Sequence, residues 1–204
     1  MDCRTNASNS LRQSVKLSRF HHSMPERKGQ IALDVIFVTV GTTEFNELID
    51  FLDNSAFVDL ALSLRCGTLI LQIGRGNFPL NLPELCAAAG IQYDCFRFKA
   101  DLRKEMAKSH LILSHCGAGS IIEAMDLRKP LIVVVNSTLQ GDHQRELSDA
   151  LAHSNHCLTT TISTLFGCLS GIISGVTSLE SFANPFPDAD LDLFPAAIDD
   201  MFDL

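Results

Sequence analysis

The segment Ser114-His115-Cys116-Gly117-Ala118-Gly119-Ser120 sets glycines, small side chains and hydroxyls directly between an apolar run and a helix-forming one. Glycines let the backbone turn tightly and approach a ligand. The N–H groups and positive dipole of a helix start then favour a phosphate or diphosphate. Glu123 lies three residues after Ser120, so it either closes a capping box with that serine or accepts hydrogen bonds from ribose hydroxyls. The loop is not a P-loop, because no Lys-Ser/Thr follows the glycines. It is a poor dinucleotide fingerprint too, since position 122 is Ile where a third glycine would stand. Cys116 follows His115, which raises the question of an activated thiol. Adjacent residues point apart and no orienting acid is evident, so no catalytic cysteine is expected.

Other polar clusters follow apolar runs in the same way. Gly41-Thr42-Thr43 offers an amide and two hydroxyls for phosphate or sugar. Arg75, between Gly74 and Gly76, could offset diphosphate charge or serve as an exposed turn residue. Asn136–Gln144 ends in Gly141-Asp142-His143-Gln144, where Asp142 could cap a helix. His143 and Gln144 would then present donors, unless the segment is only a surface helix start.

The elements that position these clusters alternate. Val35–Val40, Leu69–Ile73, Tyr93–Phe98, Leu111–Ser114 and Leu131–Val135 read as short buried strands, with Cys157–Thr160 as a sixth. Helical spacing covers Glu44–Leu64, Leu82–Ala89, Asp101–Lys108 (N-cap near Ala100 or Asp101), Ser120–Arg128 and Asp142–Ala152. Strands of this length separated by helices predict an α/β fold of Rossmann-like type, a mostly parallel sheet with helices on both faces. Right-handed crossovers place every strand's C-terminal end on one rim, where such sheets bind ligands. The clusters at 41–44, 74–76, 114–120 and 136–144 would gather there. That convergence is a stronger functional signal than any single motif.

Composition narrows the classes. The 204 residues are 46% hydrophobic and 20% charged, enough for one sizeable core. No window approaches the roughly 18 apolar residues of a membrane span, so no direct span and a soluble chain are expected. Residues 1–145 carry all 16 Lys and Arg against 15 acids, whereas 146–204 carry nine acids and no Lys or Arg. That acidic third argues against a nucleic-acid binder. Seven cysteines show no CxxC pair or regular spacing and read as reduced, mostly buried thiols. His21-His22 have no partner ligands nearby, so no metal is expected.

Residues 1–30 are Ser-, Asn- and Arg-rich and read as a flexible extension. Their six basic and two acidic residues faintly suggest a targeting peptide, against which Asp2, Glu26 and a weak apolar periodicity speak. Residues 31–180 form the ligand-binding domain. Over 181–204, Leu191, Phe194, Ile198, Met201 and Phe202 recur at helical steps among aspartates. Such an amphipathic helix packs on its own domain or docks on another subunit.

Four segments taken in order carry a resemblance: Phe37-Val38-Thr39-Val40-Gly41-Thr42-Thr43, Leu69-Ile70-Leu71-Gln72-Ile73-Gly74-Arg75-Gly76, Ser114 through Glu123, and Lys129-Pro130-Leu131-Ile132-Val133-Val134-Val135-Asn136 followed by His143-Gln144. Over roughly residues 34–165 the chain resembles the catalytic subunit of the two-part UDP-N-acetylglucosamine transferase of asparagine-linked glycosylation. It also looks like the C-terminal half of the bacterial glycosyltransferase that completes the cell-wall lipid precursor. Cys116 stands where the family commonly has Ala, and residues 1–30 and about 167–184 match poorly.

The resemblance implies half of a GT-B enzyme that binds UDP-N-acetylglucosamine (UDP-GlcNAc). A separate membrane-anchored subunit would bind the lipid acceptor, GlcNAc-diphosphodolichol. The product would be a β1,4-linked chitobiosyl lipid, formed with inversion on the cytosolic face of the endoplasmic reticulum. By motif match, the amides of Gly117, Ala118, Gly119 and Ser120 would hold the diphosphate, with Ser114 and His115 in the same loop. Glu123 would hold the ribose, and His143 and Gln144 would lie near the sugar. Gly41, Thr42, Thr43, Arg75 and Asn136 complete the expected donor site. The resemblance implies no cofactor and no metal, and it places Leu191–Leu204 on the partner. No convincing general base is evident, which assigns that role to the partner. Two other classes stay open: a Rossmann oxidoreductase, which predicts a glycine fingerprint after Val40, and a non-catalytic sugar-nucleotide-binding or scaffold protein.

Overall fold

A computed structural model describes residues 32–136 and 157–179. Runs of β-branched and aliphatic residues form β1 (Val35–Thr39), β2 (Thr68–Gln72), β4 (Leu111–His115) and β5 (Leu131–Val135). The more polar β3 (Gln92–Phe96) and β6 (Leu158–Thr161) complete a six-stranded sheet in the order β3-β2-β1-β4-β5-β6, with every pairing parallel. Polarity follows position. The central strands are buried on both faces, as parallel sheets require, whereas β3 and β6 lie at the edges with partly exposed side chains.

Alternation along the strands sorts the core into two layers. Ile36, Val38, Leu69, Leu71, Leu111, Leu113, Ile132 and Val134 face one side. There they meet α1 (Asn46–Leu52), α2 (Ser55–Ser63), α3 (Leu82–Ala89) and α6 (Ile162–Ile173). Phe37, Ile70, Ile112, Leu131 and Val133 face the other, against α4 (Arg103–Lys108) and α5 (Ala118–Asp126) through Met106, Ile121, Ala124 and Met125. The α/β, Rossmann-like expectation is met. Among the described residues no helix is long and apolar enough to cross a membrane.

Two helix expectations change. The single helix over Glu44–Leu64 is two helices, because Asp53 and Asn54 have stronger partners than a helical ladder. Asn54 caps α2, accepting from Phe57 N at 3.0 Å. Asp53 accepts from the backbone N–H groups of Leu80, Asn81 and Leu82 at 2.9, 2.8 and 2.5 Å. A carboxylate from elsewhere in the chain thereby satisfies the start of α3, whose own Asn81 makes no capping bond. The helix expected from Ser120 begins two residues earlier, at Ala118, with Gly117 as N-cap. Helix α6 had no counterpart in the sequence reading. It starts with a capping box between Thr161 and Thr164 and buries Leu165, Leu169 and Ile172. The expected helix at Asp142–Ala152, the extension 1–30 and the helix over 181–204 lie outside the described residues.

Candidate functional site

In this strand order the chain reverses direction between β1 and β4, so the loops leaving these two strands sit side by side on the C-terminal rim. A crevice opens outside such a point in open α/β sheets. A cleft of about 460 Å³ lies here. Gly41 and Thr42 line it after β1; His115, Gly117, Ala118, Gly119, Ser120 and Glu123 line it after β4. Eight residues of the expected donor site are therefore brought together.

The glycine loop works as the start of α5. Gly117 caps the helix with no side-chain bond, and a Cβ there would overlap Nε2 of His115. The usual Ser, Thr, Asp or Asn cap is thus sterically barred. The first-turn amides of Ala118, Gly119 and Ser120 have no acceptor within the helix. They lie on the cleft together with the positive end of the dipole, the arrangement that binds an anion. Ser120 and Glu123 form no capping box, because Ser120 is the third residue of the helix and Glu123 the sixth. Glu123 instead lines the cleft, one turn beyond the amides.

His115 joins the two loops. It is 7% exposed, and a Cβ on Gly41 would stand 2.5 Å from its Cε1. The ring is therefore packed against both glycines, and its buried Nδ1 has no hydrogen-bond partner among the described residues. Burial lowers its pKa from the ordinary 6.5, against a smaller opposing effect of the Thr39 backbone, which favours neutral imidazole near pH 7. Gly41 itself has φ +63°, a conformation costly for a residue with a Cβ. Burial raises the Cys116 thiol pKa, so the thiol is not an activated nucleophile.

The remaining expected residues divide. Thr43 is turned inward, its Oγ1 donating to Val40 O at 2.8 Å. Ser114 is fully buried and donates to His115 O at 2.9 Å. Asn136 is buried at the end of β5. Arg75 is exposed, and its backbone N–H donates to Thr43 O. None of these four lines the cleft. His143 and Gln144, and the proposed interface residues Leu191, Phe194, Ile198, Met201 and Phe202, lie outside the described residues.

The opposite wall was absent from the sequence reading. It is the segment after β3, Phe98-Lys99-Ala100-Asp101-Leu102, with Gln72 at the base. Lys99 Nζ lies 3.0 Å from Glu105 Oε1, 3.6 Å from Asp94 Oδ2 and 3.7 Å from the Phe96 ring centroid. This anchors the segment and leaves a cation beside the cleft. Asp101 accepts from Arg103 N at 2.8 Å at the entry to α4. No motif marks this wall. The available signal was its place after a strand in a parallel sheet, which puts it on the same rim.

Comparison with known proteins agrees with this architecture. The UDP-N-acetylglucosamine transferase subunit ALG13 of Homo sapiens is 39% identical over 126 residues, covering 62% of this chain and 11% of that protein. The ALG13 subunit of Yarrowia lipolytica is 31% identical over 126 residues, covering 62% of this chain and 64% of that one. The matched region thus spans about a tenth of the human and mouse relatives. Among solved structures, an NMR structure of ALG13 superposes with TM-score 0.54 at 20% identity, over 82% of this chain and 95% of that one. MurG of Acinetobacter baumannii gives 0.57 at 17% identity, over 83% and 50%; at these identities the likeness speaks for the fold. The model of the glycosyltransferase family 28 C-terminal domain matches residues 35–175, and the chain belongs to that family.

Proposed function

We propose that the chain is the donor-binding catalytic subunit of an inverting glycosyltransferase that moves GlcNAc from UDP-GlcNAc to GlcNAc-diphosphodolichol, the second step of lipid-linked oligosaccharide assembly for N-glycosylation. One observation carries the reading: the uncapped start of α5 presents three amides to a cleft at the β1/β4 switch point. The names of the ALG13 relatives supply the sugar nucleotide and the word subunit.

In this reading the amides of Ala118–Ser120 and the dipole of α5 hold the diphosphate and stabilise the charge that develops on departing UDP. Glu123, one turn further along, accepts from the ribose hydroxyls. The backbone around Gly41 and Thr42 closes the phosphate side. The general base that inversion requires on the acceptor hydroxyl comes from a membrane-anchored partner that also binds the lipid. The partner holds the chain at the cytosolic face of the endoplasmic reticulum through 191–204.

Calorimetry with UDP-GlcNAc, UDP and NADH tests the ligand class: binding of both uridine nucleotides is expected, and NADH binding without UDP binding overturns the reading. Transfer of labelled GlcNAc to lipid should appear only with membranes carrying the partner. Its absence under those conditions leaves a sugar-nucleotide binder and removes the enzyme. A Glu123→Ala variant should bind UDP about tenfold more weakly, the loss of a charge-assisted hydrogen bond; full affinity would strip Glu123 of the ribose role.

A further inference from the structure

Gln72 ends β2 and is 1% exposed, yet its side chain reaches the ends of two neighbouring strands. Its Oε1 accepts from Thr39 Oγ1 at 2.5 Å and from Gly41 N at 2.9 Å. Its Nε2 donates to Gly41 O at 2.7 Å and to Arg97 O at 2.6 Å. A primary amide has two donor hydrogens and two acceptor lone pairs, and here all four are used. Burying an amide costs free energy unless its bonds are made. Packing alone would be served by an aliphatic residue, such as Leu71 or Ile73 beside it.

The partners of Gln72 are the bases of the two cleft walls. Gly41 heads the β1 loop and packs against His115, which in turn packs against Gly117. Arg97 immediately precedes Phe98–Leu102, the opposite wall. Arg97 also donates from Nη1 to Gly74 O and Gly76 O at 3.1 and 2.8 Å, which extends the brace into the loop after β2.

We propose that Gln72 is a positioning residue for the sugar-nucleotide site: its amide sets the separation of the Gly41–Thr42 wall from the Phe98–Leu102 wall. Through Gly41 it also holds His115 in line with the start of α5. The effect on ligand rests on the proposed donor-binding reading; the brace between the walls does not.

Two variants of the full chain separate positioning from packing. Gln72→Glu keeps the shape but turns a carboxylate toward the carbonyls of Gly41 and Arg97. Burial and those carbonyls raise the pKa of the introduced acid, and only its protonated form donates. Gln72→Met keeps the bulk and has no donor at any pH. Among the described residues the ionisable groups that line the cleft with Gln72 are His115 and Glu123 on the β4 side and Lys99 and Asp101 on the β3 side, with the permanent cation of Arg97 beside them; taking the ratio to wild type at each pH removes their contribution.

Relative UDP affinity of Gln72→Glu should fall about tenfold or more near pH 8 and recover as pH falls. That of Gln72→Met should be lost at both. Amide hydrogen exchange at Gly41 and at Phe98–Leu102 should accelerate together in both variants. If either variant melts earlier while UDP affinity and exchange in both walls stay at wild-type values, the side chain is only core and the proposal falls. If wild type binds no UDP, the donor reading fails and exchange alone decides the brace: joint acceleration supports it and unchanged exchange overturns it. Should Gln72→Met not fold, Gln72→Glu at low pH carries the same comparison.

Discussion

Two glycine loops end adjacent parts of the same sheet and meet different fates. In Gly74-Arg75-Gly76 the backbone is consumed by the protein. Arg75 N–H donates to Thr43 O, Gly76 N–H donates to Ile73 O, and Arg97 occupies the carbonyls of Gly74 and Gly76. In Gly117-Ala118-Gly119 the backbone turns into a helix whose first amides have no acceptor within it. The first loop supports a wall; the second presents donors to the cleft. Glycine content is the same in both, so the difference lies in where the N–H groups point and whether the fold has already used them.

Substitutions can break this contrast. Gly117→Ala drives a Cβ into the His115 ring and should cost UDP affinity on the order of 100-fold (~3 kcal/mol) by calorimetry. Gly119→Ala, which meets no atom within 4 Å, serves as the control and should leave the fold unchanged. Gly74→Ala combines a φ of +54° with overlap onto the Thr43 and Gly41 carbonyls. It should lower stability by about 2 kcal/mol in thermal unfolding, while UDP affinity below the melting range changes less than for Gly117→Ala. The reverse order would exchange the roles of the two loops.

His115 provides a finer test, because its ring packs against Gly117 of the second loop and Gly41 of the β1 loop. Its folded pKa lies below 6.5, the ordinary value expected of the unfolded chain. The unfolded state therefore binds the proton more readily. Stability from this group is fully present above about pH 6.5 and is lost as pH falls through that value to the lowered folded pKa. Denaturant unfolding across that window should show the decline, and His115→Gln should flatten it. Arg75→Ala gives the smallest effect. An exposed side chain outside the cleft should change UDP affinity by less than about twofold and stability by less than about 0.5 kcal/mol; a tenfold loss of affinity would return Arg75 to the donor site.

Much of the fold was legible. Short runs and intervening helical spacing located the six strands within one or two residues; the four central strands were plainest, because a strand buried on both faces must be apolar throughout. The helix break at Asp53-Asn54 was not legible. Asp53 is drawn off by amides at Leu80–Leu82, contacts some 28 positions away that no local pattern encodes. Glu123 shows the same limit within one motif. Ser120-x-x-Glu123 reads as a capping box, but the His115 ring and Gly117 start the helix earlier and turn Glu123 into a cleft residue. The wall at Phe98–Leu102 has no motif because its contribution comes from position, set by the Lys99–Glu105 ion pair and Gln72.

By itself the sequence determined the α/β class, the rim on which the polar loops gather and the place of the glycine loop at a helix start. Periodicity and glycine placement are local, and parallel strands impose one rim. Only the tertiary structure decided which rim loops line the cleft and which hold the others in place. That choice depends on strand order and on side chains such as Gln72 and His115, which reach across to the loops leaving neighbouring strands.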